Sequence, residues 1–352
     1  MWTVINQTPF SATGYFVRDK HGSEHWCVAA RAGFEILSDG SVSAAAEQEP
    51  VRLAPTYADS SAAELLAESD LAPFRPKTDV LIVGTVCAPL STAPSRRAWV
   101  QPVRISVGDL TKSAVAFGQR RLMKIYDSWK IVYENPFEPV NLTWKNSLGG
   151  PDLFNGDEPA VCNERNPIGM GWSRSLDAAP DGAELDLPLI ENPARLFDPR
   201  RPLPEPIGFG PLQRTWRPRR DFCGTYDKEW EGNRMPLLPT DFSEDFHQAA
   251  SSDQIYPGEL KGGEVVEIEG LHPDGPYSFR LPRLVFGAAI WFAGERHYLR
   301  FRVVALTIDG TARRLDMVWN ASLLCNGHDH LVDETTVYLK KVENGAHERQ
   351  TG

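Results

Sequence analysis

The sequence predicts a mainly β protein: two β-sandwich-like lobes joined by a long irregular segment rich in Pro, Gly and aromatics, with a few short helices. Three observations carry that expectation. From Glu24 to Ile36 the even positions Trp26, Val28, Ala30, Ala32, Phe34 and Ile36 are apolar, the period of two that marks a strand. The same alternation returns late in the chain at Leu315, Met317, Trp319, Ala321 and Leu323. Between them lies a stretch where Pro and Gly recur and neither the helical nor the strand period holds. The expected division is therefore a β-rich lobe at 1–135, an irregular segment at 136–258, and a second β-rich lobe at 259–352 with a frayed polar tail from Glu343.

In chain order, Arg31 and Glu35 fall opposite the apolar face of the first long strand, so this strand reads as half-buried. Ser38-Asp39-Gly40 supplies a hairpin turn. Ser60 to Glu68, with its Ala, Glu and Leu, reads as a short helix. Pro73 and Pro76 then enforce an extended path into Val80–Val86, a β-branched run that reads as a central buried strand. Trp99, Val103, Ile105 and Val107 alternate before Gly108-Asp109, and strands follow at Val115–Phe117 and Trp129–Tyr133. After the irregular segment, Tyr277, Phe279 and Leu281 alternate, as do Leu299, Phe301, Val303 and Ala305. Asp309-Gly310 turns the chain into the last long strand, and Val337 with Leu339 reads as an edge strand.

The part of the irregular segment from Pro206 to Gln254 is too aromatic for a disordered linker, which would be poor in Trp, Tyr and Phe. An ordered loop of this length is uncommon and often functional. Its helical signal spans Thr240–Ala250: Asp241 and Glu244 have capping-box spacing, and Phe242, Phe246 and Ala249 share a face.

Composition narrows the function classes. A chain of 352 residues accommodates about two domains. With 37 basic against 47 acidic residues the net charge is -10, which disfavours nucleic acid and anionic membranes as partners. Met1 to Asn6 lack a charged n-region before an apolar run, and no apolar run reaches the length that spans a bilayer. Cys27, Cys87, Cys162, Cys223 and Cys325 are odd in number and widely spaced, as reduced thiols of a cytoplasmic protein would be.

No nucleophile elbow, zinc-protease motif, P-loop or dinucleotide fingerprint is present. His328-Asp329-His330, with Asp333 or Glu334, has donors acceptable to zinc, but the spacing is unspecific and a solvated turn is the default. Asp227, Glu229, Glu231, Asp241, Glu244 and Asp245 surround Trp216, Tyr226 and Trp230 in sequence. Paired carboxylates beside aromatic platforms suit glycoside hydrolysis, which makes a carbohydrate-binding or carbohydrate-hydrolysing protein the alternative reading. Cys223 follows Arg219-Arg220, a setting that lowers a thiol pKa, but no His is assigned to it. No cofactor and no metal are expected.

Several motifs together resemble one bacterial family. They are Asn6-Gln7-Thr8-Pro9-Phe10, Gly33-Phe34-Glu35-Ile36, Glu68 through Val80, Asn166-Pro167-Ile168-Gly169, and above all Trp216-x-Pro218-Arg219, Gly224-Thr225-Tyr226-Asp227 with Trp230, and Pro236 through Phe242. The chain is similar to an uncharacterised-domain family encoded in type VI secretion loci beside effectors that carry PAAR-like spike-tip domains. The resemblance implies a non-enzymatic cytosolic adaptor or chaperone that helps load the effector onto the spike. The PAAR-like effector would be the partner, with the spike protein itself a second one, and no catalytic residue carries over. Trp144 through Gly150 and Arg31-Ala32-Gly33 depart from the family's usual residues, which bears on partner choice. Because Trp, Tyr and Arg supply most interface hot spots, the expected partner-binding residues are Trp216, Arg219, Arg220, Tyr226 and Trp230. A buried anchoring role stands beside partner contact for Trp216 and Tyr226.

Overall fold

A computed structural model describes residues 2–61, 63–72, 74–88, 99–126, 128–133, 138–154 and 161–340, so the tail from Glu343 lies outside the described residues. The chain is mainly β. A six-stranded sheet runs in the order Ser11–Arg18, Glu24–Ile36, Arg314–Leu324, Arg302–Asp309 and Asp79–Val83, with Val42–Ala44 paired onto Glu24–Ile36. Its neighbours are antiparallel except Asp79–Val83, which lies parallel to Arg302–Asp309. A five-stranded sheet has the order Ile190–Glu191, Leu110–Phe117, Val100–Val107, Val265–Glu269 and Tyr277–Arg280. A four-stranded sheet has the order Thr3–Asn6, Val332–Lys340, Val285–Phe292 and Glu295–Arg300. Ser128–Tyr133, Arg120–Ile125 and Glu184–Asp186 make a smaller sheet.

The two β-rich stretches of the sequence are hydrogen-bonded to one another. Trp26 lies opposite Leu323 in the six-stranded sheet, and Ile105 lies opposite Ile268 in the five-stranded one. One main core draws on all three large sheets, through side chains such as Val28, Leu306, Val103, Ile268, Phe286 and Ile290. The Trp26 indole N–H donates to Thr335 Oγ1 at 2.8 Å, tying the six-stranded sheet to the four-stranded one. Phe286 packs its ring against Phe10, Phe301 and Trp319 at the same junction.

Position in these sheets overrides several local patterns. Glu24–Ile36 is central, so it is buried on both faces rather than half-buried. Arg31 is buried with it, its guanidinium 3.3 Å from both Asp70 and Asp316. The described residues of 60–68 form no helix: Leu65–Ala67 is a short strand paired with Thr56–Tyr57. Helix propensity loses there because Glu64 and Glu68 are turned inward to Lys145 and to Arg214 with Arg219. The alternation from Leu299 to Ala305 breaks at Phe301, where the chain passes from the four-stranded sheet to the six-stranded one. Val332–Lys340 is an inner strand between Thr3–Asn6 and Val285–Phe292, not an edge.

Candidate partner-binding segment

The strand Asp79–Val83 ends the six-stranded sheet, and an uncovered strand there would leave backbone groups open. The irregular segment closes that edge. Ile82 N–H donates to the Phe209 carbonyl at 3.0 Å, and Tyr256 N–H donates to that of Thr78 at 2.9 Å. Gln254 Nε2 donates to both Val80 and Phe209 carbonyls, at 2.9 and 3.0 Å.

Asp79 is the main fastener. Fully buried, its carboxylate accepts from Gln248 Nε2 at 2.6 Å and from the amides of Ala249 at 2.8 Å and Ala250 at 3.1 Å. Arg75 lies 3.4 Å from the same carboxylate and donates to the carbonyls of His247 and Val304. On the five-stranded sheet, buried Lys112 donates to Ser251 Oγ, Asp253 Oδ1 and Gln254 Oε1 at 2.9–3.0 Å, and to the Gly208 carbonyl. Burial pulls the Lys112 ammonium down to about 8 against the opposing pull of Asp253.

Arg219 repeats the pattern. Its guanidinium donates to Glu68 Oε2 at 2.6 Å and to the carbonyls of Leu212 and Phe246 at 2.8 Å. Burial would push the Glu68 carboxyl up, but Arg219 and Arg214 beside it hold it at about 2. Burial also lowers His247, as do Arg75, Arg219 and Arg214, bringing it to about 4. The 3.3 Å approach of His247 Nε2 to Glu244 Oε2 is therefore no ion pair at neutral pH, since the imidazole is uncharged there.

Trp216 is buried, edge-on to Trp144 with ring centroids 5.9 Å apart, and forms a small core with Leu212 and Ile168. Gly208 is required beside it, because a Cβ there would lie 2.4 Å from the Trp144 indole. The capping box expected over Thr240–Ala250 is not formed, and the helix reduces to one 3₁₀ turn, Glu244–His247. Ser243 caps it, while Asp241 accepts from Thr225 N at 3.0 Å and Thr225 Oγ1 at 2.7 Å.

Residues 224–242 bulge outward from this anchored base. Gly224 sits at φ +81°, where a Cβ would also meet Pro239 at 2.8 Å. Asp227 caps the short helix Lys228–Asn233 by accepting from Trp230 N–H at 2.9 Å. Tyr226 stands edge-on to Trp230 at 4.7 Å, and the Trp230 indole N–H donates to the Leu237 carbonyl at 2.8 Å. Arg234 donates to the Lys20 carbonyl, fixing the bulge to the turn after the strand Ser11–Arg18.

The five expected partner-binding residues thus divide. Trp216 and Arg219 are internal, while Arg220, Tyr226 and Trp230 reach the surface, Tyr226 with 52 % of its area exposed. Arg220 and Arg217 both pair with Glu164 there. Sequence reasoning missed Glu68, Asp79 and Lys112, whose buried charges hold the segment. The usable signal was Glu68 through Asp79 as a shared motif, which gave no hint of what its carboxylates hold.

Two hollows open on the outer side. One, of about 440 Å³, is lined mostly by apolar groups of Leu212, Pro218, Phe222, Ala250 and Ile255, with Arg219 beside them. The other, of about 450 Å³, is lined by Asp227, Glu229, Trp230, Arg234 and Asp241 among others. Hydrogen bonds from the Thr225 amide and hydroxyl keep the Asp241 carboxyl below its usual range, the opposite of what a general acid needs. His328 precedes the 3₁₀ turn Asp329–Leu331 and His330 lies within it, their ring centroids 6.2 Å apart, and among the described residues no three His, Cys, Asp or Glu gather as metal ligands would. Cys223 is half-buried, its Sγ 3.5 Å from the Gly224 carbonyl. Among the described residues, no helix is long and apolar enough to cross a membrane.

A family model described as an uncharacterized protein conserved in bacteria (DUF2169) matches residues 21–320. No curated protein and no solved structure matches the chain. The match spans most of the sequence, including the whole anchored segment, and the chain belongs to the DUF2169 family.

Proposed function

We propose that this protein is a non-enzymatic cytosolic adaptor that binds a type VI secretion effector through the 206–254 segment and helps load its PAAR-like tip onto the spike. The observation that carries the binding part is the apolar hollow beside Arg219. Concave apolar pockets edged by a few fixed polar groups are where side chains of a partner or ligand find most of their burial. Because Arg219 is already held by Glu68 and two carbonyls, its position costs little to organise on binding. Arg220, Tyr226 and Trp230 supply hot-spot residue types on the same segment. The type VI assignment rests on the motif resemblance alone.

The test is co-expression with the neighbouring PAAR-like effector, followed by affinity purification and size-exclusion chromatography. Phe222→Glu with Ile255→Glu should abolish co-elution while the thermal transition and circular dichroism stay near wild type. Co-elution that survives the double variant places the contact elsewhere, and separate elution of two folded wild-type proteins removes the adaptor reading. Arg219 is unsuited to this test, since truncating it removes one of the two arginines at buried Glu68 and the donor to the Leu212 and Phe246 carbonyls.

The hollow at Trp230 favours a second reading, glycan binding, because an aromatic face lies beside carboxylates there. Two of those carboxylates, Asp227 and Asp241, are already engaged in turn hydrogen bonds. Retention of wild-type protein on a glycan array, lost in Trp230→Ala, would support that reading.

A further inference from the structure

We propose that Ser128–Tyr133 is a self-association strand that pairs antiparallel with the same strand of a second copy of this chain. The inference is independent of what the 206–254 segment binds.

This strand ends the three-stranded sheet, paired on one side with Arg120–Ile125. Among the described residues no strand lies on its other side. Edge strands in native proteins are shortened, charged or covered. Here exposed Lys130 is the one charge on the strand, and Ile131, Val132 and Tyr133 beside it are exposed at 44, 39 and 51 % of their areas.

The direction of its open hydrogen-bonding groups follows from the neighbouring strand. Lys124 N–H donates to the Ala183 carbonyl, its carbonyl accepts from Gly182 N–H, and the Arg120 carbonyl accepts from Leu187 N–H. Residues 120, 122 and 124 therefore turn their backbone groups toward Glu184–Asp186. By antiparallel alternation, 121, 123 and 125 bond to 132, 130 and 128. That leaves the N–H and C=O of Trp129, Ile131 and Tyr133 facing outward. Their side chains lie on the same face as buried Leu122, continuing the small core that Trp129 joins.

The occupant follows from the order of residues, in which aromatic Trp129 and Tyr133 mirror each other about Ile131 and Lys130 mirrors Val132. In an antiparallel pair centred there, Ile131 faces Ile131 of the second copy in a doubly hydrogen-bonded pair. Trp129 faces Tyr133 on the same side, and Lys130 faces Val132 on the other. Each pair is aromatic on aromatic, aliphatic on aliphatic, or lysine stem on valine, and no two like charges stand directly opposite. An unrelated strand would have no reason to meet this pattern at every position. With one strand per copy the contact belongs to the small, transient class of interfaces.

The experiment uses the full chain. Sedimentation equilibrium up to about 200 µM, a range suited to weak interfaces, should give a reversible monomer–dimer equilibrium. Ile131→Lys, which sets two lysines opposite each other, should weaken it about fivefold or more. The register is read by oxidative cross-linking in a Cys87→Ser, Cys162→Ser, Cys223→Ser background. Ile131→Cys should form a disulfide-linked dimer, since opposed residues in a sheet have Cα atoms within disulfide reach. Val132→Cys alone should not, whereas its mixture with Lys130→Cys should. A monomer at every concentration overturns the proposal and would leave the edge to a foreign strand. Equal cross-linking through each of the three introduced cysteines alone, or a dimer indifferent to Ile131→Lys, overturns it too.

Discussion

The stretches 206–223 and 224–242 share one composition of Pro, Gly, Arg and aromatics, yet the fold holds them in opposite ways. In the first, Arg219 and Trp216 point inward, and neighbouring elements send Glu68 to the Arg219 guanidinium and Lys112 to the Gly208 carbonyl. In the second, the bonds are short-range: Asp227 to Trp230 and Asp241 to Thr225, with Arg234 reaching the Lys20 carbonyl. The same residue types therefore serve as internal framework in one stretch and as exposed surface in the other. What separates them is the sheet edge beneath 206–223, whose backbone groups need partners. Deep anchoring costs desolvation of several charges, and it is favourable only because nearly every buried oxygen finds a donor.

The largest expected effect breaks the anchored side. Asp79→Ala removes the acceptor for Gln248, Ala249 and Ala250 at once and leaves Arg75 without its carboxylate. A loss of about 3–5 kcal/mol is expected in urea unfolding, the range for breaking a buried charged pair. A loss under about 1 kcal/mol, the worth of a single ordinary hydrogen bond, would mean that the edge holds without Asp79.

Acid should loosen the same side in two steps. His247 is held at about 4 in the fold against 6.5 in a free side chain. The unfolded chain therefore takes up its proton first, and stability falls as pH drops from 6.5 toward 4. Glu68 is held at about 2 against 4.5, so its contribution is intact above 4.5 and disappears as pH falls toward 2. Each step is worth on the order of 1–3 kcal/mol. His247→Asn should flatten the upper step and Glu68→Gln the lower one, read from chemical denaturation across that pH range. A single step that neither variant moves would assign the acid sensitivity to other groups.

The two sides were unequally legible in the sequence. Strands announced themselves, because alternation at Trp26 to Ile36 and Leu315 to Leu323 is a local property. Their pairing with each other was invisible, since nothing in either run names a partner nearly three hundred positions away. The patterns at Ser60–Glu68 and Thr240–Ala250 suggested helices for the same reason: propensity and spacing are local, while Glu68 and Asp241 are claimed by Arg219 and Thr225 from elsewhere in the chain. At the candidate site, the Arg-rich aromatic run does not say which of its members face inward. Arg219 and Arg220 are adjacent, and only the 3₁₀ turn beginning at Arg219 sends one to Glu68 and the other to Glu164.

On the outward side the effects should be smaller and local. Trp230→Ala loses an indole hydrogen bond to Leu237 and the edge contact with Tyr226. About 1–2 kcal/mol of local stability should go, the sum of one hydrogen bond and one aromatic pair. Hydrogen exchange should accelerate across 224–242 while the main β core keeps its protection. Core exchange rising in parallel would show that the bulge and its base unfold as one unit.

Arg220→Ala should do least to stability and so sharpens the contrast with its neighbour. The pair with Glu164 is half exposed on both partners, Glu164 is shared with Arg217, and solvent screens such surface pairs so that they add little to stability. The urea midpoint is expected to stay at its wild-type value, against a loss of several kcal/mol for truncating a buried arginine such as Arg219. Co-purification with the proposed effector partner can then be read at Arg220 without interference from folding. Weakened binding at unchanged stability makes this side chain a contact. A midpoint shift as large as that of Arg219→Ala would show that both arginines belong to the framework, with the boundary between anchor and surface further out, toward Tyr226.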